Sequence, residues 1–503
     1  MDPAEIQVPA EFLERVPLRF ARENAVVMVA PSVLALGKRE RLWAADRIAY
    51  ALDRECRIVE MEEAKVLELI HRAYHEKAKE VGQVAQELVP DAQTGEVVLG
   101  EDVLDLDDKA PAVKLVHAAL LQAIRQRASD IHLEPGEAGL RVRFRVDGVL
   151  YDRAILRREA QDGVTSRIKV MGKMDIAERR LPQDGGVTVR VGDRRIDLRI
   201  ATLPSQYGER VVLRLLDKTT GLLSLEGIGF ADVDLGSVRR ILELLHGIVL
   251  VTGPTGSGKT TSLYAMLSSL NSAELNILTL EDPIEYQLPG ITQTQVNAKK
   301  GLTFAKGLRS IVRQDPDIIM VGEIRDLETA TIAIQSSLTG HLVFSTLHTN
   351  DAPSSITRLL DLGVEPYLVA SSLNAVLAQR LARTVCLRCK EEVPLDEASA
   401  RAKGWSAEDL LFLRGLGCAR MARGKGCESC FGSGFSGRTA FFELLVLSDE
   451  LRDLVVKRAS AGELKRAALS KGFLTLRKDG LRRVAAGLTT LDEVWSVTQM
   501  DLE

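Results

Sequence analysis

The sequence predicts an α/β protein whose central domain is a mostly parallel sheet covered by helices on both faces. Three observations carry that prediction. From Gly247 onward, short apolar runs (GIVLVT, NILTL, DIIMVGEI, LVFSTL) alternate with helical patterns near 259–270, 303–314, 327–338 and 353–361. Apolar runs of strand length set between helices are what a sheet buried on both faces requires. The first run leads into GPTGSGKTT and then TSLYAMLSSL, a glycine-rich turn between strand and helix. Finally, 503 residues with 46% hydrophobic content suffice for roughly three domains of about 150 residues each.

Taken in order, residues 1–104 mix amphipathic helical patterns (AADRIAYALDREC, EAKVLELIHRAYHEKAKEV) with the apolar run AVVMVA, as in a small α/β or helical module. The acidic stretch GEDVLDLDDKAP reads as its linker to a second domain, 105–230. There a helical pattern, AVKLVHAALLQAIRQRA, precedes SDIHLEP and LRVRFRVDGVL. In the last of these Val142, Phe144 and Val146 alternate with Arg141, Arg143 and Arg145, the signature of a strand with one buried face. Further strands (GVTVRVGDRRIDLRIATLP, RVVLRLL) make this domain α+β, and the glycine-rich DKTTGLLSLEGIGF links it onward. The core then occupies 231–380, a cysteine-bearing lobe 381–445, and a helical region 446–503. There are no repeats or low-complexity tracts.

Composition removes several function classes. A net charge of −4 and 4% aromatic residues argue against a nucleic-acid binder, which carries a basic face and stacking rings. The amino terminus lacks the basic and apolar regions of a signal peptide. Thr329 to Asn350 carries no acidic or basic residue, yet its many Ser, Thr, Gln, Gly, His and Asn exclude a membrane span. A cytosolic protein is expected, so the six cysteines read as thiols or metal ligands.

GPTGSGKTT fits G-x-x-x-x-G-K-[ST] in its strand–loop–helix context. In Gly253, Pro254, Thr255, Gly256, Ser257, Gly258, Lys259, Thr260 and Thr261, glycines let backbone amides curl around phosphate oxygens at a helix amino end. Lys259 is placed for the β- and γ-phosphates of a nucleotide such as ATP, and Thr260 for Mg²⁺. Hydrolysis needs carboxylates at the carboxyl ends of neighbouring strands. EDPIEY after NILTL supplies Glu281, Asp282 and Glu285; GEIRD after DIIMV supplies Glu323. Any one of them serves as readily as a helix cap or salt bridge; four at two strand ends beside a phosphate loop point to Mg²⁺ and water.

Histidine is scarce, with 7 residues, yet His341 and His348 bracket LVFSTL. A lone histidine more often packs or caps. Six residues at about 3.3 Å put the ends of that strand on the order of 20 Å apart. His348, at the carboxyl end, is therefore the candidate for sensing the γ-phosphate, and His341 for coupling the strand to its domain.

CLRC (Cys386, Cys389) and CESC (Cys427, Cys430) are paired C-x-x-C knuckles. Four thiolates in tetrahedral reach make a closed structural Zn²⁺ site, with redox knuckles as the alternative. The gap between them holds a helical insert, DEASARAKGWSAEDLLFL, and Cys56 and Cys418 read as structural or free thiols.

Together these motifs bring a family into view. The chain resembles the secretion ATPases of the type II/type IV pilus superfamily, the type II secretion members above all. The likeness runs from about residue 105 to the end through RASDIHLEP, DIAERRLPQDG, GPTGSGKTT, LEDPIEY, GLRSIVRQDPD, MVGEIRD, LTGHLVFSTLHTNDA and LAQRLAR. It implies a RecA-like core preceded by a PAS-like α+β domain and a small adaptor, with ATP, Mg²⁺ and structural Zn²⁺. Its histidine box contains both His341 and His348, which extends a functional role to His341. It also implies a homo-hexamer in which arginines from outside the core neutralise phosphate charge. Arg199 and Arg214 match the second-domain arginines; Arg309 and Arg313, one helical turn apart, are further candidates. Singly, such arginines are more often solvated. The implied activity is ATP hydrolysis driving pseudopilus assembly and export of folded proteins. The implied partners are the cytoplasmic domain of an inner-membrane protein, bound by the amino-terminal domain, and a polytopic inner-membrane platform. The protein is then cytoplasmic and peripheral to that membrane, with no nucleic acid. Type IV pilus assembly is the alternative reading; a nucleic-acid motor and a non-hydrolysing scaffold fit less well.

Overall fold

A computed structural model describes residues 8, 9, 12, 16, 20, 21, 24–52, 54–70, 97–99, 111–191, 194–217 and 223–498. The expected acidic linker lies outside the described residues except for Pro111, as do the second half of EAKVLELIHRAYHEKAKEV and part of DKTTGLLSLEGIGF. The chain divides into two units, Met1–Thr220 and Gly221–Glu503. Among the described residues no helix is long and apolar enough to cross a membrane.

Among its described residues the first unit holds two sheets. β1 (Val26–Ala30), β2 (Val33–Leu36) and β3 (Arg57–Glu60) form a small one in that order, β1 antiparallel and β3 parallel to β2. Their apolar side chains share a core with the helix Leu42–Ala51. The second sheet contains β4 (Val97–Leu99), β5 (Ala128–Gly136), β6 (Gly139–Val146), β7 (Val149–Leu156), β8 (Gln183–Val191), β9 (Arg194–Ser205) and β10 (Gly208–Asp217). Its strand order is β4-β8-β9-β10-β5-β6-β7. One face, with Ile131, Leu133, Val142, Phe144, Leu198, Ile200, Val211 and Leu213, forms the core with helices Pro111–Arg125 and Arg158–Met171. The other face is charged, because the alternation in LRVRFRV turns every second residue away.

The second unit is built on β11 (Gly247–Thr252), β12 (Ile277–Glu281), β13 (Thr292–Gln295), β14 (Ile318–Val321), β15 (Leu342–Leu347), β16 (Leu373–Val385) and β19 (Phe435–Val446). The order is β13-β12-β14-β15-β11-β16-β19. All neighbours are parallel except the edge pair β16 and β19. Every residue of β11, β12, β14 and β15 is buried, and separate clusters fill the two faces. The helices Lys259–Leu270, Phe304–Ile311, Leu327–Leu338 and Ala352–Asp361 fall where the apolar periodicity places them. β13 (TQTQ) and β16 were not evident in the sequence: one is a polar edge strand, the other an Arg-containing strand that runs through the expected junction at 380/381. β17 (Lys390–Pro394) and β18 (Arg420–Gly424) pair antiparallel in the cysteine lobe. Helices follow β19, from Asp449–Val456 to Leu491–Thr498.

Candidate active site

The phosphate loop joins β11 to the helix Lys259–Leu270. Gly253 has φ 146°, and a Cβ there would stand 2.5 Å from the Gln379 carbonyl oxygen. Gly258, at φ 88°, opens the helix in a left-handed conformation that only glycine adopts without strain. Among the described residues no acidic side chain occupies the first turn, so the amide hydrogens and the helix dipole are left for an anion. Lys259 Nζ folds back to donate to Gly253 O at 2.7 Å and Pro254 O at 3.1 Å. The Ser257 hydroxyl is buried with no hydrogen-bond partner among the described residues. Burial pushes Lys259 down to about 8; nearby Arg380 lowers it further and Glu323 opposes. An orphaned hydroxyl, a helix amino end without a side-chain cap and a lysine hydrogen-bonded to neutral carbonyls form, among the described residues, the donor set that a phosphate chain completes. Thr260, in the same first turn, carries the hydroxyl suited to Mg²⁺.

Three strands deliver the remaining groups to the same sheet end. Glu323 follows β14, only 13% exposed, and is held by Arg325 Nη2 at 2.6 Å and His348 Nε2 at 3.4 Å. His348 follows β15, whose end is stitched in place: Ser345 Oγ donates to Val321 O at 2.8 Å and Thr346 Oγ1 to Gly322 O at 2.7 Å. Thr349 N then donates to Thr252 Oγ1 at 2.9 Å, tying the histidine loop to β11. His341 stands at the other end of β15. Its Nδ1 lies 2.7 Å from Ser336 O, so that nitrogen carries the proton. After β12, Asp282 lies in the electrostatic field of Arg325, and the Glu285 amide donates to the Tyr264 hydroxyl at 3.4 Å. Glu281 is buried, with its carboxylate already hydrogen-bonded inside the protein.

The arginines divide. Arg309 pairs with Glu328 at 2.7 Å, and Arg313 is exposed in the turn after the same helix. In the first unit Arg199 and Arg214 face each other across β9 and β10, and Arg214 Nε donates to Asp130 Oδ1 at 2.9 Å.

Two residues of β16 escaped sequence reading. Arg380 is buried, donating through Nη2 to Asn350 O at 2.7 Å in the histidine loop. Gln379 accepts from Ser262 Oγ at 2.7 Å, beneath the phosphate-loop helix. The available signal was a Gln–Arg pair inside an otherwise apolar run, LAQRLA.

In the cysteine lobe, β17 follows the first knuckle and β18 precedes the second, so their pairing brings the two together. All four sulfurs lie within 4.8 Å of one another, with Cys386–Cys427 at 3.9 Å, Cys389–Cys430 at 3.8 Å and Cys427–Cys430 at 3.7 Å. Four thiolates about 2.3 Å from a tetrahedral zinc stand roughly 3.8 Å apart, so the cluster fits Zn²⁺. Burial would raise the Cys430 thiol, but amides of Cys427 and Gly434, at 3.1 and 3.3 Å from its sulfur, hold it well below the usual range. Cys418 is buried elsewhere, against Trp405 and Leu413.

Comparison with known proteins gives consistent results. A family described as Type II/IV secretion system protein matches residues 105–496. Type II secretion system protein E of Pseudomonas aeruginosa is 46% identical, with 98% of each chain covered. The type IV pilus assembly ATPase PilB of Myxococcus xanthus is 42% identical over 99% of this chain and 88% of its own. Among solved structures, the Legionella pneumophila ATPase DotB superposes with a TM-score of 0.55 at 21% identity, covering 77% of this chain and 95% of its own. At that identity the likeness concerns the fold.

Proposed function

The chain belongs to the Type II/IV secretion system protein family, and we propose that it is the ATP-hydrolysing motor of a type II secretion system. The full-length likeness to a type II secretion protein E carries the secretion assignment. The Glu323–His348 pair, in the electrostatic reach of Lys259 at the head of the phosphate-loop helix, supports the chemistry.

Residues 253–261 receive the phosphates of ATP, with Lys259 leaving its carbonyls for them. Mg²⁺, held by Thr260, supplies charge neutralisation on the phosphate oxygens when bound. Glu323 and Glu285 share the work of holding that ion and orienting the attacking water. Arg325 and His348 fix Glu323 in place, and His348 reports the γ-phosphate to β15. Asp282, Arg309 and Arg313 complete the charge around the nucleotide. Arg199 and Arg214 supply cations from the second domain within a homo-hexameric ring, so that hydrolysis rotates domains against one another. The residues 1–104 dock the ring on the cytoplasmic domain of an inner-membrane protein, and a polytopic platform protein receives the motion. The tetracysteine lobe carries one structural Zn²⁺.

A type IV pilus assembly motor is the second reading, favoured by the 42% identity to PilB. Replacing the chromosomal copy with a Lys259→Ala allele in the host separates the two. Export into the medium lost with surface pili intact supports the secretion motor; pili lost with export intact overturns it in favour of the second reading.

A further inference from the structure

Glu281 has the placement of a metal ligand but not the freedom of one. Its Oε2 accepts from the Tyr264 hydroxyl. Its Oε1 accepts from Thr279 Oγ1 at 2.5 Å and Gln293 Nε2 at 3.1 Å. Tyr264 and Thr279 are fully buried and Glu281 is 3% exposed, so this carboxylate satisfies its hydrogen bonding away from the nucleotide. The phenol also works in a second direction: its oxygen accepts the Glu285 amide hydrogen and Gln293 Nε2, each at 3.4 Å. Tyr286 packs edge-on against the same ring, with centroids 5.1 Å apart. Burial, reinforced by the Glu281 carboxylate, holds the phenolic proton far above the usual tyrosine range. Tyr264 thus donates to Glu281 while accepting from the segment beyond it.

Tyr264 stands on the helix that begins at Lys259, whereas Glu281 and Glu285 belong to the strand end beside it. One hydroxyl thus ties the phosphate-loop helix to the segment 281–286. We propose that Tyr264 and Glu281 are positioning residues that set the Glu285 carboxylate relative to Lys259, so that a shift of the loop on nucleotide binding carries Glu285 with it. This rests on the reading of Glu285 as a group that acts on the nucleotide. Glu281 is then not a Mg²⁺ ligand, in contrast to its expected place among the acids at the nucleotide.

The test measures steady-state ATPase kinetics of the full chain for Tyr264→Phe, Glu281→Gln, Glu281→Ala and Glu285→Gln, with Tyr264→Phe also placed in the Glu285→Gln background. Tyr264→Phe keeps the ring and removes only the tie, so kcat is expected to fall roughly tenfold with KM for ATP and the Mg²⁺ dependence unchanged. Glu281→Gln keeps an oxygen for the phenol but turns an amide donor toward Thr279 and Gln293, so it is expected to lose clearly less than Glu281→Ala, which falls with Tyr264→Phe. In the Glu285→Gln background the Tyr264→Phe loss is expected to vanish, because both act through one group. A full further tenfold loss there overturns the inference, as does a Glu281→Gln variant that is the slowest of the set with a raised Mg²⁺ requirement. Glu285→Gln at the parental rate sinks the role of Glu285 itself, and that arm distinguishes the two failures. Should Tyr264→Phe not fold, the Glu281→Gln and Glu281→Ala pair decides alone: equal loss in both overturns the inference.

Discussion

The phosphate loop and the tetracysteine lobe are both short spaced motifs in the same unit, but they treat their polar groups in opposite ways. The loop leaves groups unanswered: the Ser257 hydroxyl has no hydrogen-bond partner among the described residues, and Lys259 rests on neutral carbonyls. The lobe closes on itself, with four sulfurs within 4.8 Å of one another and two amides aimed at Cys430. A site whose ligand arrives and leaves in each cycle must tolerate unmade interactions in between. A site whose ligand belongs to the fold has no reason to. Open donors therefore mark turnover, and a closed donor set marks structure.

That contrast can be broken in four places, taken from the largest effect to the smallest. Lys259→Ala should lower ATP hydrolysis by roughly 10²- to 10³-fold, the scale of losing one charged transition-state donor, while zinc content stays unchanged. Hydrolysis at an undiminished rate would remove the loop from the mechanism. The double variant Cys427→Ser/Cys430→Ser should lose its zinc in metal analysis and drop the thermal midpoint by more than about 5 °C. Metal retained in that variant would show the cluster is not the site. His348→Ala should lower turnover on the order of tenfold with nucleotide affinity nearly unchanged; an equal loss of both would make the histidine a simple binding contact.

The smallest effect sharpens the comparison through pH. Burial holds Lys259 down to about 8 in the free protein, and a bound phosphate favours the charged ammonium, so its pKa is higher in the complex. ATP binding is then strongest below pH 8 and weakens as pH rises through the free-state value. Titration of affinity between pH 7 and 9 checks the sign; tighter binding at the alkaline end would contradict it. Zinc in the lobe should behave the other way, released only at acid pH as thiolates take up protons.

Much of the site was legible before any coordinates. The cradle residues, the acids after β12 and β14 and the histidine after β15 can be placed because strand ends follow from apolar run length, and those acids and that histidine sit within four residues of the strand ends. The cysteine spacing is equally local. Other features were not legible. Tyr264 reads as one more apolar residue of a helix, and only β12 beside it turns its hydroxyl into a tie to Glu281. Arg380 reads as an interruption of an apolar run, and only the pairing of β16 with β11 sets it beneath the phosphate loop. Glu281 reads like its neighbours Asp282 and Glu285, and only the fold shows that it is buried in its own hydrogen bonds.

By itself the sequence determined the α/β core, the phosphate loop and the four thiols, because each depends on residues close together in the chain whose spacing alone sets their geometry. The tertiary structure alone decided which acid is buried in its own hydrogen bonds, which arginine lies behind the loop and which hydroxyl joins a helix to a strand end. Those outcomes depend on burial and on strand neighbours distant in sequence, and no local pattern encodes either.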